Sequence, residues 1–148
     1  MAASNRERED PLSANWKPAG HGGLSANGPV ASHAQALLDL EPLMLEAKVD
    51  VYFAGHNHNY ETTWPVARNR TVQKNYVNPK APIHITCGVG GPPDFDRFGE
   101  AKDWTREPRF WNASYSRVTM DNHNVWWEQV DNLDGQILDT FKITKMLE

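Results

Sequence analysis

At 148 residues and 39% apolar content, the chain is the size of one domain or part of one, with enough apolar side chains for a core though few for an efficiently packed one. Its formal charge of −4 and pI near 5.8, with no run of Lys or Arg, argue against a nucleic acid or an anionic membrane surface as partner. No apolar stretch approaches the ~20 residues of a membrane span, and the charged opening residues, Met1 to Asp10, are unlike a signal peptide.

Met1 to Pro29 is rich in Gly, Ala, Asn, Ser and Pro, with breakers at Gly20-His21-Gly22-Gly23 and Asn27-Gly28-Pro29. Residues 1–30 therefore read as a flexible or irregular segment, and 31–148 as the folded part. A capping box, Ser32 with Gln35, starts a helix whose Leu37, Leu40, Met44 and Ala47 recur at helical spacing. Pro42 predicts a kink there, or a restart with Glu41 as N-cap.

Val49 to Ala54 is a short run, mostly β-branched or aromatic, bounded by Gly55. Such a run predicts a strand covered on both faces and central in its sheet. Weaker strands are predicted within 66–72 and 83–87, the latter burying the lone Cys87 as an inert thiol. A long loop of Gly, Pro and charged residues follows from Gly88 to about Arg109. Ser114–Met120, Val125–Val130 and Ile137–Ile143 then read as an antiparallel meander, the last turn carrying the hairpin dipeptide Asp134-Gly135. On such a strand Trp126 and Trp127 face opposite sides, so they are packing aromatics rather than one stacking platform.

The chemical signal is Gly55-His56-Asn57-His58 at the carboxyl end of the first strand, where open α/β folds place their sites. Neutral imidazole suits Zn, Fe and Mn, and an extended backbone would aim residues i and i+2 toward one side. Gly55 would supply a sharp turn or a close approach.

The string Lys48-Val49-Asp50-Val51-Tyr52-Phe53-Ala54-Gly55-His56-Asn57-His58-Asn59-Tyr60-Glu61 closely resembles the strand and Gly-His-x-His loop of purple acid phosphatases. Asn78 to Ile85 is similar to the segment before that family's glycine-rich turn, here Gly88-Val89-Gly90-Gly91, with Val89 where an acidic residue is often found. The segments 116–120, 127–130 and 134–141 are similar to its C-terminal strands. The resemblance covers roughly residues 31–148. It implies an α/β (α+β) fold, the C-terminal half of a four-layer α/β/β/α metallophosphoesterase sandwich ending in an antiparallel meander.

By the same resemblance the complete enzyme is an acid phosphatase that hydrolyses phosphomonoesters at a dinuclear metal centre. His58 would bind Fe(III) and His56 the second ion, which is Zn, Fe or Mn. The ions clamp the phosphate and neutralise the charge that develops during displacement. The family's Asp-x-Gly, Gly-Asp-x-x-Tyr and Gly-Asn-His motifs are absent from residues 1–148. The missing N-terminal half of the domain is thus the implied partner, and the isolated chain is expected to be inactive and to hold no stable ion pair. The alternative is a non-catalytic remnant serving as a structural or single-metal binding module.

Tyr60 and Glu61 match the Tyr-Glu after the metal histidines and are candidates to orient the imidazoles. His21 and His33 lie where the family places substrate-contacting histidines, whereas His84 and His123 read as structural or surface groups. Asn69-Arg70-Thr71 and Asn112-Ala113-Ser114 are N-glycosylation acceptor triplets. They carry weight only if the chain follows the family to a secreted or vacuolar/lysosomal location.

Overall fold

The computed structural model describes residues 31–91 and 94–146. The segment 1–30, with His21, lies outside the described residues. Helix α1 (Ala31–Glu46) passes through Pro42 as one element, without the restart that proline allowed. Glu41 does not cap a second helix, because its carboxylate instead accepts a hydrogen bond from the Arg68 N–H at 2.8 Å. The helix ends in a Schellman arrangement. Lys48, at φ 53°, donates to the Leu45 carbonyl, and Val49 donates to that of Met44, which satisfies two of the carbonyls that a helix end leaves free.

Strand β1 (Val51–Ala54) follows directly. With β2 (Tyr60–Thr63), β5 (Ile83–Cys87) and β6 (Thr105–Phe110) it forms a four-stranded mixed sheet in the order β1-β5-β2-β6. β1 pairs β5 in parallel, and the other two pairings are antiparallel. Two-residue strands β3 (Val66–Ala67) and β4 (Arg70–Thr71) make a separate hairpin. Its turn residues Arg68 and Asn69 both have positive φ, as a tight hairpin twisted to match its strands requires.

The interior strands are therefore β5 and β2. Among the described residues β1 is an edge strand with Phe53 half exposed. Its apolar run signals two faces that suit burial, but only the β5 side is paired here. In β5, Ile83 and Ile85 face the core while His84 and Thr86, also buried, face the other way.

The predicted meander is present as β7 (Ser114–Met120), β8 (Asn124–Asp131) and β9 (Ile137–Thr144), in continuous antiparallel register apart from a bulge at Gln129/Val130. This second sheet packs on the first. Tyr60, Ile83, Ile85, Val89, Trp127, Phe141 and Ile143, joined by Tyr76 from the connecting loop, form one buried cluster. Trp127 is buried and Trp126 exposed, as strand alternation demands. The two sheets are the β layers of an α/β fold, with α1 as a single helix beside them.

His84 gives this core a pH dependence. Its ring lies beside Tyr52 (centroids 5.5 Å apart), its Nδ1 has no hydrogen-bond partner among the described residues, and burial lowers its pKa from 6.5 to about 4. The unfolded chain takes up this proton below about pH 6.5, and the folded chain only near pH 4. The His84 contribution is thus intact above the higher value and is lost as pH falls through the lower one, a change of about 3 kcal/mol. Urea midpoints at pH 7 and pH 4.5 are expected to lie further apart for the native chain than for His84→Leu. Equal separations would show that His84 is not the group responsible.

Candidate functional site

The link from β1 to β2 is Gly55 to Asn59, and its backbone is not extended. Asn57 N–H donates to the Gly55 carbonyl at 3.0 Å, and Asn59 N–H to that of Asn57 at 2.8 Å. These are two successive three-residue turns with His56 and His58 at their apices. His56 has φ 74° and His58 has none of the positive φ, so the turns are of opposite hand. A positive-φ γ-turn centred on a residue with a Cβ is rare and strained. His56→Gly should therefore be more stable than His56→Ala by about 1 kcal/mol in urea unfolding, since both variants remove the imidazole with its contacts and only glycine relieves the strain. Equal stabilities would show that the positive φ stores no strain.

The loop rests on the glycine-rich turn after β5. A Cβ built on Gly88 would stand 1.8 Å from the Asn57 carbonyl oxygen and 2.6 Å from its carbon, whereas one on Gly55 meets no atom closer than 3.9 Å. The close approach expected of Gly55 is thus made by Gly88, whose N–H also donates to the Asn59 carbonyl at 3.1 Å. Val89 next to it is fully buried in the core, so an acidic side chain at that position would face apolar packing.

Two aspartates of the following loop hold His58. The His58 N–H donates to Asp96 Oδ2 at 2.7 Å, and His58 Nδ1 lies 3.1 Å from both the carbonyl and the Oδ1 of Asp94. With Nδ1 as the donor, Nε2 keeps the lone pair. Asn59, next along the chain, is completely buried, yet neither its side-chain oxygen nor its nitrogen finds a partner among the described residues. An orphaned buried amide costs about 1 to 3 kcal/mol per group unless a polar group or a water reaches it. Among the described residues no three His, Cys, Asp or Glu side chains converge to hold a metal ion.

Tyr60 and Glu61 start β2, both buried. The Tyr60 ring stacks on Phe110 at 4.6 Å. Its hydroxyl donates to Asp139 Oδ2 at 2.9 Å, which ties the histidine loop's exit strand to β9. Arg106 of β6 grips the same carboxylate through both terminal nitrogens, at 2.7 and 3.0 Å, and also donates to Thr62 Oγ1. The pair is buried, with side-chain exposures of 13% for Arg106 and 4% for Asp139. The guanidinium lies over the Phe141 ring at 4.9 Å. Burial first, and then the Asp139 charge, raise the Tyr60 pKa well above its usual value. Burial disfavours the Arg106 charge, but hydrogen bonds and attraction from Asp139 outweigh it and raise that pKa too. This network was missed in the sequence, although Asp139 stands in phase with Phe141 and Ile143 on the inward face of β9.

Residues 81–140 match the family described as "Iron/zinc purple acid phosphatase-like protein C". The chain is 32% identical to acid phosphatase type 7 of Danio rerio over 118 residues, covering 72% of this chain and 26% of that protein. It is 32% identical to "Probable inactive purple acid phosphatase 1" of Arabidopsis thaliana, over 72% of this chain and 18% of that one. Purple acid phosphatase PPD1 from yellow lupin (Lupinus luteus) seeds superposes with a TM-score of 0.67 at 32% identity, over 72% of this chain and 19% of the lupin chain. The chain belongs to the purple acid phosphatase family. It corresponds to the C-terminal portion of the family's domain and spans about a quarter or less of the length of these relatives. GAP50 of Plasmodium shares the fold, with a TM-score of 0.59 at 20% identity, over 89% of this chain and 35% of that one.

The other candidate positions are scattered over this purple acid phosphatase portion. His33 lies in α1, with its side chain outside the described set. His123 is exposed in the β7–β8 turn, where its N–H bonds Asp121 Oδ1 at 2.7 Å. Asn69 sits in the β3–β4 turn with its Oδ1 buried. Asn112 is exposed before β7, its Nδ2 donating to Asp131 at 3.1 Å. Cys87 is half buried, its sulfur accepting from Gln129 Nε2 and Ser116 Oγ.

Proposed function

We propose that His56 and His58 are two of the ligands of a dinuclear metal centre, Fe(III) with Zn, Fe or Mn, in an acid phosphatase acting on phosphomonoesters. The remaining ligands, chiefly carboxylates, would come from sequence N-terminal to the region shared with the relatives. The observation that carries this reading is the pair of opposed turns that lifts the two histidines at the carboxyl end of β1 over the Gly88 floor. Strain at a residue that glycine would relieve is retained where the side chain has work to do.

The donor set fits such a centre in part. Two neutral imidazoles are good ligands but cannot offset the charge of two ions, and the orphaned Asn59 amide shows that this loop is short of polar partners. The edge of β1 that is unpaired among the described residues and the half-exposed Phe53 offer a seat for the complementary segment. A bound dinuclear centre supplies an activated water and neutralises phosphate charge. This chain's own part is positional. Asp94 orients the His58 ring, Asp96 fixes its backbone, and Gly88 sets the height of the loop. Tyr60 anchors the loop's exit through Asp139.

A chimera carrying residues 31–148 in place of the matching region of the yellow lupin enzyme tests this. It is expected to retain two metal ions per chain and to hydrolyse 4-nitrophenyl phosphate. His58→Ala in the chimera should lose metal and activity together. Unchanged metal content in both His56→Ala and His58→Ala chimeras would remove these residues from the ligand set.

A second reading, a structural or single-metal module without catalysis, is favoured by relatives whose names include "Probable inactive". Uptake of one zinc per purified chain, abolished by His58→Ala, would support it. We place the protein in a secreted or vacuolar/lysosomal compartment on the family resemblance. Of the two acceptor triplets Asn112 suits glycosylation better, because its side chain is exposed.

A further inference from the structure

At the other end of the sheet from the histidine loop lies a cavity of about 470 Å³. β1 and β5 run parallel, so His56, His58 and Gly88 follow their carboxyl ends while Lys48, Val49, Ala81 and Pro82 precede their amino ends. About 13 Å of strand separates the two regions. The cavity is lined by buried Met44, Pro79, Ala81 and Pro82, and by exposed Lys48 and Lys80. Lys145 also reaches it, and among the described residues no Asp or Glu lines it. In a chain of net charge −4 this local cationic excess runs against the background.

We propose that this cavity binds a small amphipathic organic anion, its acidic head between Lys48 and Lys80 and its apolar body on the methionine and proline floor. The volume is that of a small-molecule site. Lys145 is largely spoken for, since its ammonium pairs with Asp50 at 2.8 Å. Lys48 and Lys80 have no carboxylate within ion-pair distance among the described residues. The carbonyls of Met44 and Leu45 are bonded within the helix cap, so they do not present their oxygens to an anion. Asn78, which also lines the cavity, accepts a hydrogen bond from the Met146 N–H through its Oδ1. Lys48 occupies a left-handed position (φ 53°) where glycine is the usual and less strained residue. The ammonium is what this lysine adds there.

The test is titration of the full chain with three probes, followed by calorimetry and by amide shifts at Lys48, Lys80 and Ala81. Decanoate supplies head and body, acetate the head alone, and decyltrimethylammonium the same body with the opposite charge. Decanoate is expected to bind at least about tenfold tighter than either of the others. Lys48→Gly combined with Lys80→Gln should weaken decanoate by about tenfold. Lys48→Gly alone should raise the thermal midpoint while weakening decanoate, so that stability and binding move in opposite directions. Equal binding of decanoate and decyltrimethylammonium, equal binding of decanoate and acetate, or undiminished decanoate binding by the double variant would each overturn the proposal. None of these outcomes depends on His56 or His58.

Discussion

Arg106→Ala is expected to destabilise the fold by about 3 to 5 kcal/mol, the range for removing one partner of a buried ion pair. The reason lies in what stays behind. Asp139, 4% exposed, would keep the Tyr60 hydroxyl as a donor but lose both guanidinium bonds and the only cation beside it among the described ion pairs. A carboxylate left in that state must either remain desolvated and unpaired or take up a proton. Asp139→Ala should cost a comparable amount, because it strands Arg106 between the Phe141 and Tyr76 rings. The double variant Arg106→Met, Asp139→Leu should cost far less than the sum of the two, since apolar groups of similar bulk can replace a buried pair with little loss. Urea unfolding of the native chain, Arg106→Met, Asp139→Leu and the double variant provides the cycle. Additive single effects would show that the two residues are not coupled.

That prediction concerns a part of the molecule the sequence concealed, and the reason is physical. β7, β8 and β9 were legible because their residues alternate and their turns carry Asp121 and Asp134-Gly135, whose carboxylates bond the following backbone N–H groups. β6 (Thr105–Phe110) was hidden inside what reads as a long charged loop. It holds Pro108 and three charged residues, and its ties to the core are the Arg106–Asp139 ion pair and a single aromatic, Phe110 stacked on Tyr60. β2 was hidden for a similar cause. Thr62 and Thr63 are fully buried because their hydroxyls take Arg106 and the His84 N–H as donors, partners that no local pattern reveals.

The inversion of β1 and β5 has the same origin. An apolar run marks a strand suited to two covered faces, but position in a sheet depends on which strands are present to pair. β5 reaches the centre with His84 and Thr86 on one face. At the candidate site, the residue types and their place at a strand end were readable. The turn geometry was not, since histidine's enrichment at positive φ is too slight to single out His56, and nothing signals a second γ-turn at His58. Asp94 and Asp96 were likewise lost in the long loop, with only their acidity next to a proline-rich turn as a hint.

Gly88→Ala is expected to be the most damaging single methyl group that can be added near the site. The new Cβ would sit 1.8 Å from the Asn57 carbonyl oxygen and 3.2 Å from the His58 nitrogen. Both are backbone atoms, which no change of rotamer can move aside. Either the Gly88 turn withdraws, breaking its N–H bond to the Asn59 carbonyl, or the histidine loop lifts and its two γ-turns are lost. The expected cost is about 3 kcal/mol or more, in the range of backbone clashes in packed sites. Gly90→Ala is the control, because a Cβ there meets nothing within 4 Å and its φ is not among the positive values. That change should stay within about 0.5 kcal/mol. In the lupin chimera Gly88→Ala should also deplete metal, including at temperatures where the protein remains folded. The histidines would still be present, but no longer at the height that the glycine floor sets. A Gly88→Ala chimera with full metal content would mean that the loop adapts freely, and that the opposed turns are not what presents His56 and His58.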